Sequence, residues 1–188
     1  IDNEPSGEDQ PAASIEDALA AEVERIKDRK GKPYLSIGLG KDMACIGFIR
    51  LDPRFDPVDT VIRCLKSGIA CRALQRLVPL QTVCYANMQD FIKMATAVVS
   101  EHFKAKFDAS SATYSVIVES RMNSSLDKRV LIDLLGDLVG PTYKVDLKAP
   151  KVCLVVQILK NVVGMSVVPD YYKLARLNIQ EFAKVKEE

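Results

Sequence analysis

Two apolar runs near the C-terminus, Val152–Leu159 and Val162–Val168, are separated only by Lys160-Asn161. Each is apolar at nearly every position, where a half-exposed strand would alternate. A two-residue gap is hairpin length, so the pair predicts two antiparallel strands covered on both faces. At 48% hydrophobic and 27% charged, the 188 residues can supply that cover, in one domain or two small ones.

The cover is visible upstream. Asn87 is placed to cap a helix over Met88–Lys106, whose stripe is Phe91, Met94, Ala95, Val98 and Phe103. A strand at Thr113–Glu119 follows. Ser124, with Asp127 three residues on, resembles a capping box opening a helix whose face is Leu131, Leu134, Leu135 and Leu138. Gly140-Pro141 ends it. Asp170 is expected to cap a last short helix, and Asn178 to fasten the tail beyond it.

The first part of the chain has its own order. Residues 1–14 read as an acidic linker. Ser14 can cap a helix over 15–29, and strands are expected at Tyr34–Ile37 and Cys45–Arg50. Asp56 and Pro57 open a helix with Val58, Val61, Ile62 and Leu65 on one face and Gly68 at its end. A strand at Cys71–Val78 is expected to stop at Pro79. This order is α-β-β-α-β, one leading strand short of a ferredoxin-like β-α-β-β-α-β. The fold class expected is therefore α+β (α/β): residues 15–86 as one unit and 87–188 as another.

Charge is unevenly spread. The formal sum is +1, yet residues 1–24 hold eight acids and no Lys or Arg, while 25–87 hold 12 basic residues against 5 acidic. Such asymmetry points to an anionic partner. On a strand over 71–78 the period of two would place Arg72 and Arg76 on one face about 7 Å apart, near the spacing of neighbouring phosphates. Arg50 ends the strand before, and Arg63 and Lys66 lie on the polar side of the intervening helix. The alternative is that these arginines cover a sheet rim and pair with Asp52 and Asp59. Aromatics are sparse at 6%, so shape and backbone recognition is expected to outweigh base stacking.

Catalytic parts are scarce. Gly38-Leu-Gly40-Lys41 lacks the spacing of a phosphate loop, and Asp42 stands where Ser or Thr is required. His102 is the single histidine, which excludes a multi-histidine metal site, and it has no identifiable nucleophile to serve. The five cysteines form no C-x-x-C, so free thiols of an intracellular protein are expected and not disulfides or zinc ligands. No apolar run reaches the length that spans a bilayer. No catalytic residue, metal or cofactor, and no membrane partner, is expected.

Several short motifs share an order. Tyr114-Ser-Val-Ile-Val118-Glu-Ser-Arg121-Met-Asn123 is followed by Lys144-Val-Asp-Leu147 with Pro150, the two core strands, and Asp170-Tyr171 to Asn178. Together they resemble the THUMP domain family over residues 88–183. Gly47-Phe-Ile-Arg50 and Arg72-Ala-Leu-Gln-Arg76-Leu-Val-Pro79 resemble the ferredoxin-like half of its non-catalytic adaptors, with the first strand and helix of that half not found here.

The resemblance implies binding of tRNA through the acceptor stem and 3′ end. It also implies a separate tRNA cytidine acetyltransferase as partner, N4-acetylcytidine as product, and a nuclear or nucleolar setting. Arg50, Arg72, Arg76 and Arg121 are the main RNA candidates, with Arg63, Lys66, Lys104, Lys106 and Lys128 behind them. Two other readings stand beside this one. The chain is an RNA-binding fragment of a THUMP-containing methyltransferase or sulfurtransferase, or a protein-interaction module for an acidic partner.

Overall fold

A computed structural model describes residues 35–38, 45–68 and 73–185. They fall into two compact units that divide between Asp52 and Pro53. In the first, β1 (Leu35–Gly38) and β2 (Gly47–Arg50) form an antiparallel pair with Leu35 opposite Arg50. The helix expected over 15–29 lies outside the described residues.

The second unit is built on a five-stranded mixed sheet. Its strands are β3 (Thr82–Tyr85), β4 (Thr113–Arg121), β5 (Lys144–Val145), β6 (Val152–Leu159) and β7 (Val162–Pro169), in the order β3-β7-β6-β4-β5. The hairpin β6–β7 lies at the centre, antiparallel, with Leu159 opposite Val162. β4 runs parallel to β6, and β3 pairs antiparallel with β7.

Helices α1 (Pro57–Lys66), α2 (Met88–Val98) and α3 (Lys128–Val139) cover the sheet, with a short α4 (Ile179–Val185) at the end. Along β6 the pleat sends Val152, Leu154, Val156 and Ile158 into a core with Phe91, Val98, Phe103, Leu131 and Leu135. Cys153 and Val155 point the other way, against Val61 and Leu65 of α1 and Tyr171, Leu174, Leu177 and Ile179. Both faces are covered, as the unbroken apolar runs require. Each buried Leu or Val contributes roughly 1.5–3 kcal/mol of hydrophobic stabilisation before entropy is counted.

Capping chemistry sets the helix starts. Asp56 accepts from the amides of Val58 and Asp59 at 2.7 and 3.2 Å, and Asn87 accepts from Asp90 at 2.8 Å. The end of α2 widens into a π turn over Val99–Lys104, with the Ala105 amide reaching the Ser100 carbonyl at 3.2 Å. This wider winding turns Val98, Val99 and Phe103 inward together.

Three expectations need correction. Residues 73–78 are not a strand: they make one isolated bridge, Arg76 to Asn178, and lay Leu74, Leu77 and Val78 on the core. A strand absent from the reading, β3, forms just beyond Pro79. Asp127 itself caps α3, accepting from Arg129 and Val130 at 2.7 and 3.3 Å. Asp170 sits in a turn at φ +51°, while Asn178 caps the last helix through the amides of Gln180 and Glu181. α1 packs under the sheet and β3 is hydrogen-bonded into it, within the unit that starts at Pro53.

Candidate nucleic-acid interface

Glu119 is the polar centre of one face of the sheet. It follows Ile117 in alternation on β4 and stands in register with Gln157 on β6. Arg76 reaches down from the 73–78 segment: its Nη1 donates to both carboxylate oxygens at 3.0 and 3.1 Å, and its Nη2 to the Tyr171 hydroxyl at 3.0 Å. Gln157 Nε2 donates to Glu119 Oε2 at 3.0 Å. Burial alone would raise the Glu119 carboxyl. The bonds from Gln157 and Arg76 and the charges of Arg76 and Arg121 outweigh it and hold the group below its ordinary value. Burial opposes the charge on Arg76, but Glu119 and Tyr171 raise its pKa in spite of it.

Two residues further along, the sheet ends uncovered. Tyr85 pairs with Val162, Val162 with Leu159, and Leu159 with Arg121. In-register partners share a face, so these four side chains form one row on the face of Glu119. At about 4.8 Å per strand, Tyr85 and Arg121 stand roughly 14 Å apart. The layer of α1 and the C-terminal chain covers the other end of this face; among the described residues Tyr85 and Arg121 at the ends of the row are exposed, and Leu159 and Val162 between them are half-buried. Tyr85 is 72% exposed and its neighbour Val83 56%.

Asn123 shapes the rim beside the row. Its Nδ2 donates to the Lys160 carbonyl at 2.6 Å, and its Oδ1 accepts from the amides of Ser125 and Leu126 at 3.0 and 3.2 Å. The Lys160 amide returns a bond to the Arg121 carbonyl at 3.1 Å, and Ala86 donates to Asn161 at 2.9 Å. The ends of β3, β4 and β6 are thereby tied into one surface. Met122 and Lys160 accept left-handed backbone there, at φ +56° and +51°. The loop delivers the chain to the N-terminus of α3, where Lys128 and Arg129 are exposed. A helix N-terminus favours anions, and two cations on its first turn add to that field.

The sequence candidates separate in space. Arg121 and Lys128 come together at this end. Lys104 and Lys106 lie at the far end of α2, beside Phe107, whose carbonyl accepts from Tyr143 next to β5 at 3.0 Å. Arg63 and Lys66 are exposed on α1, and Arg50 is exposed in the first unit. Arg72 lies outside the described residues. Arg76 is engaged by Glu119, not by Asp52 or Asp59. Three side chains that sequence reasoning passed over belong to the surface: Tyr85, Arg129 and Lys160. Tyr85 was hidden because nothing local to Thr82–Tyr85 announces a strand except its partner β7.

Sheet, covering helices and open basic end together define a known kind of domain: residues 85–168 match the family described as THUMP domain. The chain is 30% identical to THUMP domain-containing protein 1 of Mus musculus, over 97% of this chain and 54% of that protein. It is 24% identical to the tRNA acetyltransferase TAN1 of Saccharomyces cerevisiae, over 98% of this chain and 73% of that protein. The chain thus spans about half the length of the mouse relative. The fold is shared with a 4-thiouridine synthetase solved with RNA and ATP, at 16% identity and a TM-score of 0.50, over 84% of this chain and 37% of that one. No helix among the described residues is long and apolar enough to cross a membrane.

Proposed function

We propose that the chain is a non-catalytic tRNA-binding adaptor that presents tRNA to a separate cytidine acetyltransferase for N4-acetylcytidine formation. The observation that carries this reading is the open end of the THUMP sheet. Arg121 and Tyr85 stand at the two ends of the row there, Lys160 lies in the turn between β6 and β7, and Lys128 and Arg129 stand at the adjoining start of α3. Likeness along nearly the whole chain to a relative named a tRNA acetyltransferase supports the choice of reaction. Cations on a rigid rim bind phosphates, and an exposed ring takes an unpaired base. That combination suits the junction of an acceptor stem with its single-stranded 3′ end.

Arg121 keeps its primary place in this proposal, the secondary candidate Lys128 moves up beside it, and Arg129, Lys160 and Tyr85 join them. Arg50, Arg63, Lys66, Arg72 and Arg76 are further proposed contacts, and Lys104 and Lys106 would need a ligand that reaches the other end of the sheet. Binding of intact and 3′-truncated tRNA tests the reading, together with acetylation by the partner enzyme with and without this chain. Tighter binding of intact tRNA and chain-dependent acetylation are expected. Equal binding of both tRNAs removes the 3′-end assignment, and acetylation independent of the chain removes the adaptor role.

A further inference from the structure

Helix α3 carries a second surface, away from the sheet. Leu131, Leu135 and Val139 are fully packed inward. On the neighbouring side Val130, Asp133, Leu134, Asp137 and Leu138 line a shallow cleft of about 490 Å³. Val130 is 48% exposed, and Leu134 and Leu138 are only half-buried. These positions follow one another at spacings of three and four, so they form a continuous stripe. It is about 12 Å long at 1.5 Å per residue, enough to seat two turns of another helix.

The charges on α3 run against its own dipole. Beyond the Asp127 cap, its first turn holds Lys128 and Arg129 and no acid, and its last turn has no base. Asp137 stands instead in the last turn, toward the negative C-terminal end, with Asp133 one turn before it at mid-helix. A helix selected for stability alone would carry the opposite order. Local rules broken without an internal gain point to a use outside the domain. The cations belong to the basic rim described above. The two carboxylates lie in the apolar cleft, where a cationic partner would relieve both their repulsion and the unfavourable dipole.

We propose that this cleft docks a basic amphipathic helix of a partner protein, with apolar residues at three- and four-residue spacing flanked by Lys or Arg. The cleft lies over the layer opposite Glu119 and Arg121, so its partner and an RNA on the sheet end can be held together. The proposal does not depend on which RNA is bound, or on RNA binding at all.

The test uses the full chain and three synthetic helical peptides of about 20 residues: leucines at i, i+4, i+7 and i+11 flanked by lysines, the same with glutamates, and a scrambled lysine version. The lysine peptide is expected to bind and to slow amide exchange within 128–139. Asp133→Lys/Asp137→Lys should weaken it at least tenfold, while the glutamate peptide gains on the same variant. Val130→Gln, which removes no charge, should weaken it severalfold. The idea is overturned by binding no tighter than the scrambled peptide, by equal affinity in the charge-reversed variant, or by protection that maps elsewhere. It is equally overturned by a self-association that the charge reversal abolishes, because the occupant would then be a second copy of this chain.

Discussion

Arg76 and Glu119 are 43 residues apart in the chain, and one guanidinium nitrogen of the first bonds both carboxylate oxygens of the second. The contact ties the segment after α1 to the middle of β4. With Tyr171 and Gln157 it forms a closed polar patch on an otherwise apolar face, charge-assisted on both sides. The arginine that the sequence offers as a phosphate ligand also cross-links two chain segments.

Arg76→Ala is therefore expected to act on stability first. Side-chain exposures of 28% and 32% allow solvent screening, so the loss should be about 1–2 kcal/mol, below that of a fully buried pair. Denaturant titration measures it. A variant as stable as its parent with much weaker tRNA binding would return Arg76 to the RNA ligands.

Glu119 sets the acid limb. Its folded value lies below the ordinary 4.5, so the unfolded chain binds more protons as pH falls. The contribution is fully present above about 4.5 and is lost as pH drops through the lower folded value. In Glu119→Gln the fall of thermal midpoint with acid should be shallower than in the parent. Parallel curves would show that other carboxylates dominate.

Tyr85 separates stacking from charge. Tyr85→Ala should weaken binding of an unpaired oligonucleotide by about tenfold, within the ~1–3 kcal/mol typical of one base on one ring, and Tyr85→Phe should retain it. Affinity for a blunt duplex should change little. Fluorescence anisotropy on both ligands reads the difference, and equal losses on the two would argue against stacking.

Arg121 and Lys160 report on phosphates. Each single Ala variant should reduce the slope of log affinity against log salt by about 0.7–0.9, one contact each. Lys104→Ala, at the other end of the sheet, should leave the slope unchanged if the open end is the main site. A slope that responds to Lys104 and not to Arg121 would move the interface.

Much of the frame was legible residue by residue. The unbroken runs of β6 and β7, the stripe Phe91–Met94–Ala95–Val98 and the Asp56 and Asn87 caps are local signals, because periodicity and capping are read within a few residues. The failures share a cause. Residues 73–78 have the alternation of a strand, but no sheet edge is offered to them, and they pair once with Asn178. Thr82–Tyr85 have weaker alternation and become a strand because β7 presents a free edge.

The site divides in the same way. That the chain carries excess cations outside residues 1–24 and has motifs in the order that resembles a THUMP domain is a property of composition and short-range pattern. Which cations stand together is not. Arg76 is withdrawn by a carboxylate on β4, and Tyr85 is brought into one row with Arg121 by three successive strand pairings. Lys104 is carried to the far end by the length of α2. Those outcomes depend on contacts between residues distant in the chain, and only closure of the sheet selects among them.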